Sequence, residues 1–327
     1  VKVSIILPFK NAAPWVSETI ESIVTQSYLD WELICVNDFS TDESQNEVLQ
    51  YCHIDSRIHL FTNEQVGIIP ALQLGLKHAK GIYVTRMDAD DIMPKGRLER
   101  MVNAIKRSPE KSVITGKVRY FSEQEVSDGY LKYERWLNER INNKDHYKHI
   151  YRECVIASPN WITRKQDLID HHIFDELNYP EDYDMVFRWK ANGFQIIGLD
   201  IVTLLWREHP ARTSRNSDVY DQASFFQLKL HWFSKFNDLN NQTICLIGSG
   251  QKGKIVANYL IENHIEFNWY DLKYEKYNTP ILSKPILNPD KLRGDIVVSC
   301  IFPPSVASFN DFLTEKGFTI GKSAWFF

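Results

Sequence analysis

Long apolar runs are missing from this chain, and none approaches the roughly 18 residues that would carry a helix across a bilayer. Long basic or acidic blocks are missing too. With a net charge of −4, nothing global attracts nucleic acid or an anionic membrane surface. The opening residues, Val1 to Leu7, lack a basic stretch and a cleavage site, so a signal peptide is not expected. Cysteine is scarce. Cys35, Cys52, Cys154, Cys245 and Cys300 are scattered with no C-x-x-C pair, and three sit in apolar β-like runs where a small buried hydrophobe belongs. That usage fits a reducing cytosol.

What is present is the balance of an ordinary globular protein, 43% hydrophobic and 24% charged over 327 residues. The length suits two domains. Strand and helix signals alternate through the first half, which predicts an α/β layout with a mainly parallel sheet. Val3 to Leu7 reads as a buried strand stopped by Pro8, and Val16, Ile20, Ile23 and Val24 mark one face of a helix. Leu33 to Val36 is a second strand, after which Ser40-Thr41-Asp42-Glu43 reads as a capping box. Ile58 to Phe61 is a third strand. A helix through Ile69, Leu72, Leu76 and Ala79 is expected to end with Gly81 at C′. Ile82 to Met87 is the fourth strand, followed by a helix through Leu98, Met101, Val102 and Ile105. From Tyr120 to Cys154 the periodicity is too weak to place elements. Asp182 to Asn192 reads as a helix closed by Gly193, and Thr213 to Asp221 as a polar loop. An aromatic-rich helix around Phe225 to Phe233 follows.

Two of these strands end in acids: the second at Asn37-Asp38, the fourth at Asp88-Ala89-Asp90-Asp91. In an open α/β sheet, ligands bind beyond the carboxyl ends of the strands. Three carboxylates in four residues repel one another unless solvated or neutralised by a cation. On an isolated turn such a cluster would simply be solvated. At the end of a buried strand, in register with a second acid-tipped strand, it suits Mg²⁺ or Mn²⁺ shared with substrate phosphates.

Ser4-Ile5-Ile6-Leu7-Pro8-Phe9-Lys10-Asn11, Trp31 to Asp42, and Arg86-Met87-Asp88-Ala89-Asp90-Asp91 together resemble the successive signatures of family 2 inverting glycosyltransferases. Their order and spacing agree across Val1 to Ser214. The resemblance implies the GT-A nucleotide-diphospho-sugar fold. It places Pro8 and Asn11 at the nucleotide pocket entrance and Asp38 on the uracil ring of a UDP-sugar. Asp88 and Asp90 match the ribose and metal acids, with Asp91 beside them. Arg86 is expected in the donor site, where it also neutralises the acids. One departure is visible: Phe39 stands where the family commonly has glycine.

Displacing a nucleotide diphosphate from an anomeric carbon needs a base for the acceptor hydroxyl and charge stabilisation for the leaving group. Pro180-Glu181-Asp182-Tyr183-Asp184 opens a helix, where acids also favour the dipole. The resemblance makes Asp182 the base, with Glu181 in support. Arg188-Trp189 is similar to the Arg-Trp of processive members, but Met185 stands where they carry glutamine. Transfer of a single sugar is therefore expected. Neutral imidazole can ligate a metal, and the resemblance implies a histidine near the metal or diphosphate, so His209, within Arg207 to Arg212, is expected there, with an ordinary surface loop as the other reading.

A second pattern starts at Thr243: strand, Gly248-Ser249-Gly250-Gln251-Lys252-Gly253, helix, and a strand ending at Asp271. This is a dinucleotide-type fingerprint in its proper context, with an acid placed for a ribose hydroxyl. The remaining length allows roughly one mononucleotide half rather than two. A small Rossmann-like domain of structural or docking type, and one holding NAD or another nucleotide through Gly248, Gly250, Gly253 and Asp271, are both open readings.

The expected organisation is therefore a GT-A domain over 1–215, a helix and linker over 216–241, and a small Rossmann-like α/β domain over 242–327. The expected activity is inverting, Mn²⁺- or Mg²⁺-dependent transfer from a UDP-sugar to a glycan or glycolipid hydroxyl in bacterial surface polysaccharide synthesis. No nucleic-acid partner is expected, and the setting is the cytoplasm, with peripheral contact at the inner face of the membrane left open. The competing expectation is a catalytically silent nucleotide-sugar or NAD-binding regulator, against which the retained Asp182 argues.

Overall fold

The computed structural model describes residues 2–175, 177–212, 221–301 and 306–327. Two compact units emerge: Val1–Asp145 with Val155–Asn216, and His146–Cys154 with Ser217–Phe327.

The first unit runs β1 (Val3–Phe9), α1 (Val16–Val24), β2 (Trp31–Asn37), α2 (Ser44–Ile54), β3 (Ile58–Thr62), α3 (Ile68–His78), β4 (Tyr83–Arg86) and α4 (Arg97–Arg107). It continues with β5 (Ser112–Phe121), α5 (Asp128–Asn143), β6 (Trp161–Arg164), α6 (Lys165–Asp170), α7 (Glu181–Ala191) and β7 (Gln195–Arg207). The sheet order is β3-β2-β1-β4-β6-β5-β7, parallel except for β6, which runs against both neighbours. Every residue of β1 and β2 is buried, because parallel strands are covered on both faces. This explains their unbroken apolar runs. In α4 the buried positions Leu98, Met101, Val102 and Ile105 repeat at helical spacing.

Two helix boundaries differ from the sequence reading. No capping box opens α2: the helix starts at Ser44, whose N–H donates to the Asp42 carboxylate at 3.0 Å, while Ser40 Oγ accepts from the Asn11 N–H. Nor does Gly81 cap α3, which ends at His78 with Ala79 as its C-cap. Gly81 instead lies against β1, where a Cβ would stand 2.7 Å from the Lys2 carbonyl oxygen. The stretch after Tyr120 that resisted placement holds the sixteen-residue α5. Its buried Trp136, Leu137, Arg140 and Ile141 alternate with charge, and the buried arginine blurs the apolar stripe.

The second unit contains α8 (Gln222–Phe236), β8 (Ile244–Ile247), α9 (Gln251–Glu262), β9 (Phe267–Tyr270), β10 (Ile286–Leu287), β11 (Ile296–Ser299), α10 (Val306–Glu315) and β12 (Ala324–Phe326). Its five-stranded sheet has the order β10-β9-β8-β11-β12, all parallel, with Ile247, Val297, Leu313 and Phe326 in its core. Residues 146–154 belong to this unit, unlike the continuous first domain read from the sequence. The reason is aromatic packing: Tyr151 stacks on Phe327 at 5.0 Å and meets Phe233 edge-on at 5.2 Å. Lys229 Nζ adds a bond to the Arg152 carbonyl at 3.0 Å. The polar loop expected from Thr213 lies outside the described residues up to Asp221, which is the N-cap of α8 and accepts from the Ser224 N–H.

Candidate active site

Parallel pairing of β1 with β2 and β4 brings their carboxyl ends to one edge. Pro8 is buried within β1, paired with Val36. Beyond the strand, Asn11 has a positive φ of 51°, and its side-chain oxygen accepts from the Thr41 N–H at 2.8 Å. The turn after β2 is thereby tied to the turn after β1. Phe39 itself has φ of 57°, so the position the family gives to glycine keeps a left-handed backbone here. Asp38 is buried, and one carboxylate oxygen accepts from Asn63 Nδ2 and from the Gly67 N–H, both at 2.8 Å. The carboxylate is held rigidly by a single oxygen, as an acid that reads a ring N–H needs to be.

At the end of β4, Arg86 links two acids from distant parts of the chain. Its Nε donates to Asp88 at 2.6 Å and its Nη1 to Glu181 at 3.0 Å. Burial raises the Asp88 carboxyl above its ordinary range; Arg86 opposes the shift and Asp90 adds to it. Asp91 is 1% exposed, and one oxygen accepts from the Arg207 N–H at 2.8 Å. The other oxygen has no hydrogen-bond partner among the described residues. Burial, with Asp90 and Asp88 adjacent, pushes the Asp91 carboxyl well up. Beneath the cluster lies Arg97, itself 1% exposed. Burial lowers its guanidinium to about 10, and Asp91 and Asp88 oppose that shift.

Helix α7 presents Glu181 and Asp182 in its first turn. Asp182 accepts from the Tyr183 N–H at 2.8 Å on one oxygen and from Ser158 Oγ on the other. Burial first, then Glu181, raises its carboxyl to about 6, while Ser158 and Arg86 hold it down. That value suits a general base working near neutral pH. Trp189 is fully buried and packs edge-on against Trp161 at 5.6 Å, and Arg188 pairs with Asp184 at 2.9 Å. Both residues therefore have packing roles.

The end of β7 brings His209 to the acids. Its Nε2 lies 2.9 Å from an Asp90 carboxylate oxygen, and its ring lies 3.9 Å from that of Trp15. Arg207 Nε donates to the Asp90 carbonyl at 2.7 Å. A carboxylate and an imidazole nitrogen form a mixed donor pair that suits Mn²⁺ and leaves positions for phosphate oxygens. The unpartnered Asp91 oxygen is a further buried oxygen donor in the same acid cluster. These residues fit a divalent cation. Among the described residues no group of three His, Cys, Asp or Glu side chains stands ready to hold one, so substrate oxygens would complete the shell.

In the second unit, Gly248 has φ of 102°, and a Cβ on Gly253 would stand 1.9 Å from the Gly248 carbonyl oxygen. Both glycines are required by the fold of the loop. No atom lies within 4 Å of where a Cβ on Gly250 would sit. Asp271 is occupied: one oxygen accepts from the Ser249 N–H at 2.7 Å and from the Ser249 hydroxyl, the other from the Lys273 N–H at 2.8 Å. Asp271 thereby fastens the glycine loop to the end of β9.

Several residues of the first unit's site carry no motif. Asn63 and Gly67 reach Asp38 through space, and Tyr179 lies 3.0 Å from where a Cβ on Gly67 would be. Burial raises the Tyr179 phenol, with Glu181 and Asp38 adding to it. Ser158, Trp15 and Arg97 likewise act through tertiary contact. Only the Ser158-Pro159-Asn160 turn signal before a buried strand could have drawn attention to the first of them.

Known proteins resemble this chain in sequence and in fold. Residues 4–172 match the family model described as glycosyl transferase family 2. The chain is 37% identical over 245 residues to the Escherichia coli UDP-Glc:alpha-D-GlcNAc-diphosphoundecaprenol beta-1,3-glucosyltransferase WfgD, covering 70% of this chain and 83% of that one. It is 29% identical over 190 residues to an uncharacterized glycosyltransferase of Haemophilus influenzae, covering 55% of this chain and 58% of that protein's length. The crystal structure of S. aureus TarS 1-349 in complex with UDP-GlcNAc superposes with a TM-score of 0.56 at 20% identity, over 80% of this chain and 72% of that one. The shared fold is the GT-A arrangement.

Proposed function

The chain belongs to glycosyl transferase family 2, and from that premise we propose that it moves a single sugar from a UDP-sugar to a hydroxyl acceptor with inversion at the anomeric carbon. The observation that carries this reading is the Arg86 bridge between Asp88 and Glu181, which sets the base-bearing helix beside the acid-tipped strand. Asp38, fixed by Asn63 and Gly67, receives the uracil N–H. Asp88 meets the ribose, with Pro8 and Asn11 framing the nucleotide. Asp90 and His209, with Asp91 behind them, would hold Mn²⁺ or Mg²⁺. When bound, that ion neutralises charge developing on the departing diphosphate. Asp182 removes the acceptor proton as the hydroxyl oxygen attacks and the bond to the UDP oxygen breaks. Glu181, clamped by Arg86, keeps the first turn of α7 in place.

WfgD is named for a UDP-glucose donor and a diphosphoundecaprenol-linked acceptor. By similarity, we extend the reading to a lipid-linked glycan acceptor in bacterial surface polysaccharide synthesis, met by peripheral contact at the cytoplasmic face of the membrane. No described helix is long and apolar enough to cross a membrane. For the second unit, whose Asp271 is already engaged by Ser249 and Lys273, the reading is a Rossmann-like structural or docking domain without NAD. Calorimetry with NAD should therefore give no binding heat, and saturable binding would overturn that part.

The test of the main reading is UDP release from UDP-glucose and UDP-N-acetylglucosamine with Mn²⁺, Mg²⁺ or EDTA and a panel of glycan acceptors. Wild type is run beside Asp90→Asn and Asp182→Asn, with UDP binding measured in parallel. Metal-dependent release lost in both variants, with UDP binding kept by Asp182→Asn, is the expected result. UDP binding without turnover on any acceptor would instead favour a silent module.

A further inference from the structure

Asp182 is held by two donors of different origin. One is the Tyr183 N–H of its own helix, at 2.8 Å. The other is Ser158 Oγ, from the loop ahead of β6, twenty-four positions earlier in sequence. A backbone N–H at the start of a helix is available in any sequence, whereas the hydroxyl is a choice of residue. The loop that carries it is anchored on both sides. Pro159's carbonyl accepts from the buried Arg97 guanidinium, and Asn160 Nδ2 donates to the Gly116 carbonyl at 2.7 Å. Ile156 and Ala157, each 2% exposed, and the fully buried Asn160 leave the loop little freedom. Ser158 is thus presented to Asp182 by a rigid support.

We propose that Ser158 is a positioning residue for the transfer reaction: its hydroxyl donates to the Asp182 carboxylate, fixes its rotation and favours its ionised form. The proposal rests on the reading of Asp182 as the base. The charged groups facing Asp182 divide cleanly. Glu181, its neighbour on α7, disfavours ionisation; Arg86, from β4, favours it. Asp184 is turned to the Asn178 N–H and Arg188. Burial and Glu181 together would leave a base protonated through much of the neutral range, and a donor to the charged form counteracts both. A carboxylate pinned at both oxygens also cannot swing away from an incoming hydroxyl, so the orientation needed for proton transfer exists before the acceptor arrives.

The test titrates Asp182 directly, by the side-chain carboxyl resonances of protein labelled with ¹³C-aspartate, with Asp182→Asn identifying the signal. Ser158→Ala should move the midpoint upward by about one pH unit. Ser158→Thr, which keeps the hydroxyl, should restore it, and Ser158→Cys, a weak donor of nearly the same size, should fall between. Ser158→Cys also serves if Ser158→Ala does not fold. UDP release from UDP-glucose with Mn²⁺ and the acceptor panel is followed across pH in parallel, and its acid limb should move with the resonance. An unmoved midpoint in both Ala and Cys variants would overturn the proposal while leaving the base reading intact. A moved midpoint with an active Asp182→Asn would instead sink the base reading, and the positioning role with it, while confirming only the hydrogen bond.

Discussion

Arg86 Nη1 and Glu181 Oε1 stand 3.0 Å apart, although ninety-five positions separate them in sequence. The ion pair fastens α7, which carries the proposed base, to the strand that delivers the acid cluster. Glu181 is 2% exposed, so the pair is buried and each partner depends on the other to offset its desolvation. Arg86→Met should lower stability by about 3 kcal/mol, read by urea unfolding. It should also move the acid limb of activity to higher pH, since Arg86 helps keep Asp182 ionised. Arg86→Lys should restore little, because a single ammonium does not reach Asp88 and Glu181 as a guanidinium fork does. Wild-type stability in Arg86→Met would show that the bridge contributes nothing.

The Asp182 carboxyl sits near 6 against an ordinary value of 3.8, so the folded protein favours its neutral form. The corresponding stabilisation is complete below the unfolded value and disappears as pH rises through 6. At neutral pH the charged Asp182 carboxylate is therefore a liability to the fold. Asp182→Asn should be more stable than wild type by about 3 kcal/mol at pH 7.5, with the difference shrinking toward zero by about pH 4. Denaturant midpoints at the two pH values check this. Equal stability at both would mean that the carboxyl is not perturbed.

How much of this could be read from the sequence depended on locality. β1, β2 and β4 were legible because buried parallel strands produce unbroken apolar runs, and acids at their ends stand out against them. Strands β5 and β7 were not. Their pairing shifts register around Gly116 and Lys117, and β7 keeps an intermediate or exposed residue at most of its positions, so no alternation survives. The first-turn acids of α7 were readable as a cluster, but Ser158 reaches Asp182 only through the fold. Asp271 is a mixed case. Its spacing from the glycine loop is right for a nucleotide acid, and only the structure places Ser249 on it.

Asp38 offers one oxygen to Asn63 and Gly67, leaving the other for a ligand. Asp38→Ala should weaken UDP binding by roughly 10- to 100-fold, the loss expected for one charge-assisted hydrogen bond. Calorimetry should also show that preference for UDP over CDP is lost. Retained preference would mean that the base is read elsewhere.

Asp90 and His209 approach to 2.9 Å and are the pair assigned to the cation. Asp90→Asn and His209→Ala should each reduce Mn²⁺-dependent UDP release, by about 100-fold for the carboxylate. Both should weaken Mn²⁺ binding in the presence of UDP, followed by the spin signal of the free ion. If EDTA leaves turnover unchanged in wild type, the metal assignment fails for both.

Tyr151 lies near the middle of the chain, yet its ring partners, Phe233 and Phe327, come far later in sequence. A gene fragment cut after the catalytic segment would therefore still encode the 146–154 excursion but not the aromatic cage that receives it. Such a fragment would display a bare tyrosine, with the apolar Ile150 beside it, to every other copy in solution, and insolubility is its natural fate. Only a piece that carries Phe233 and Phe327 as well lets residues 146–154 find their own partners. Shuffling of the two halves between relatives would therefore have to exchange this short inner segment together with the distant C-terminus.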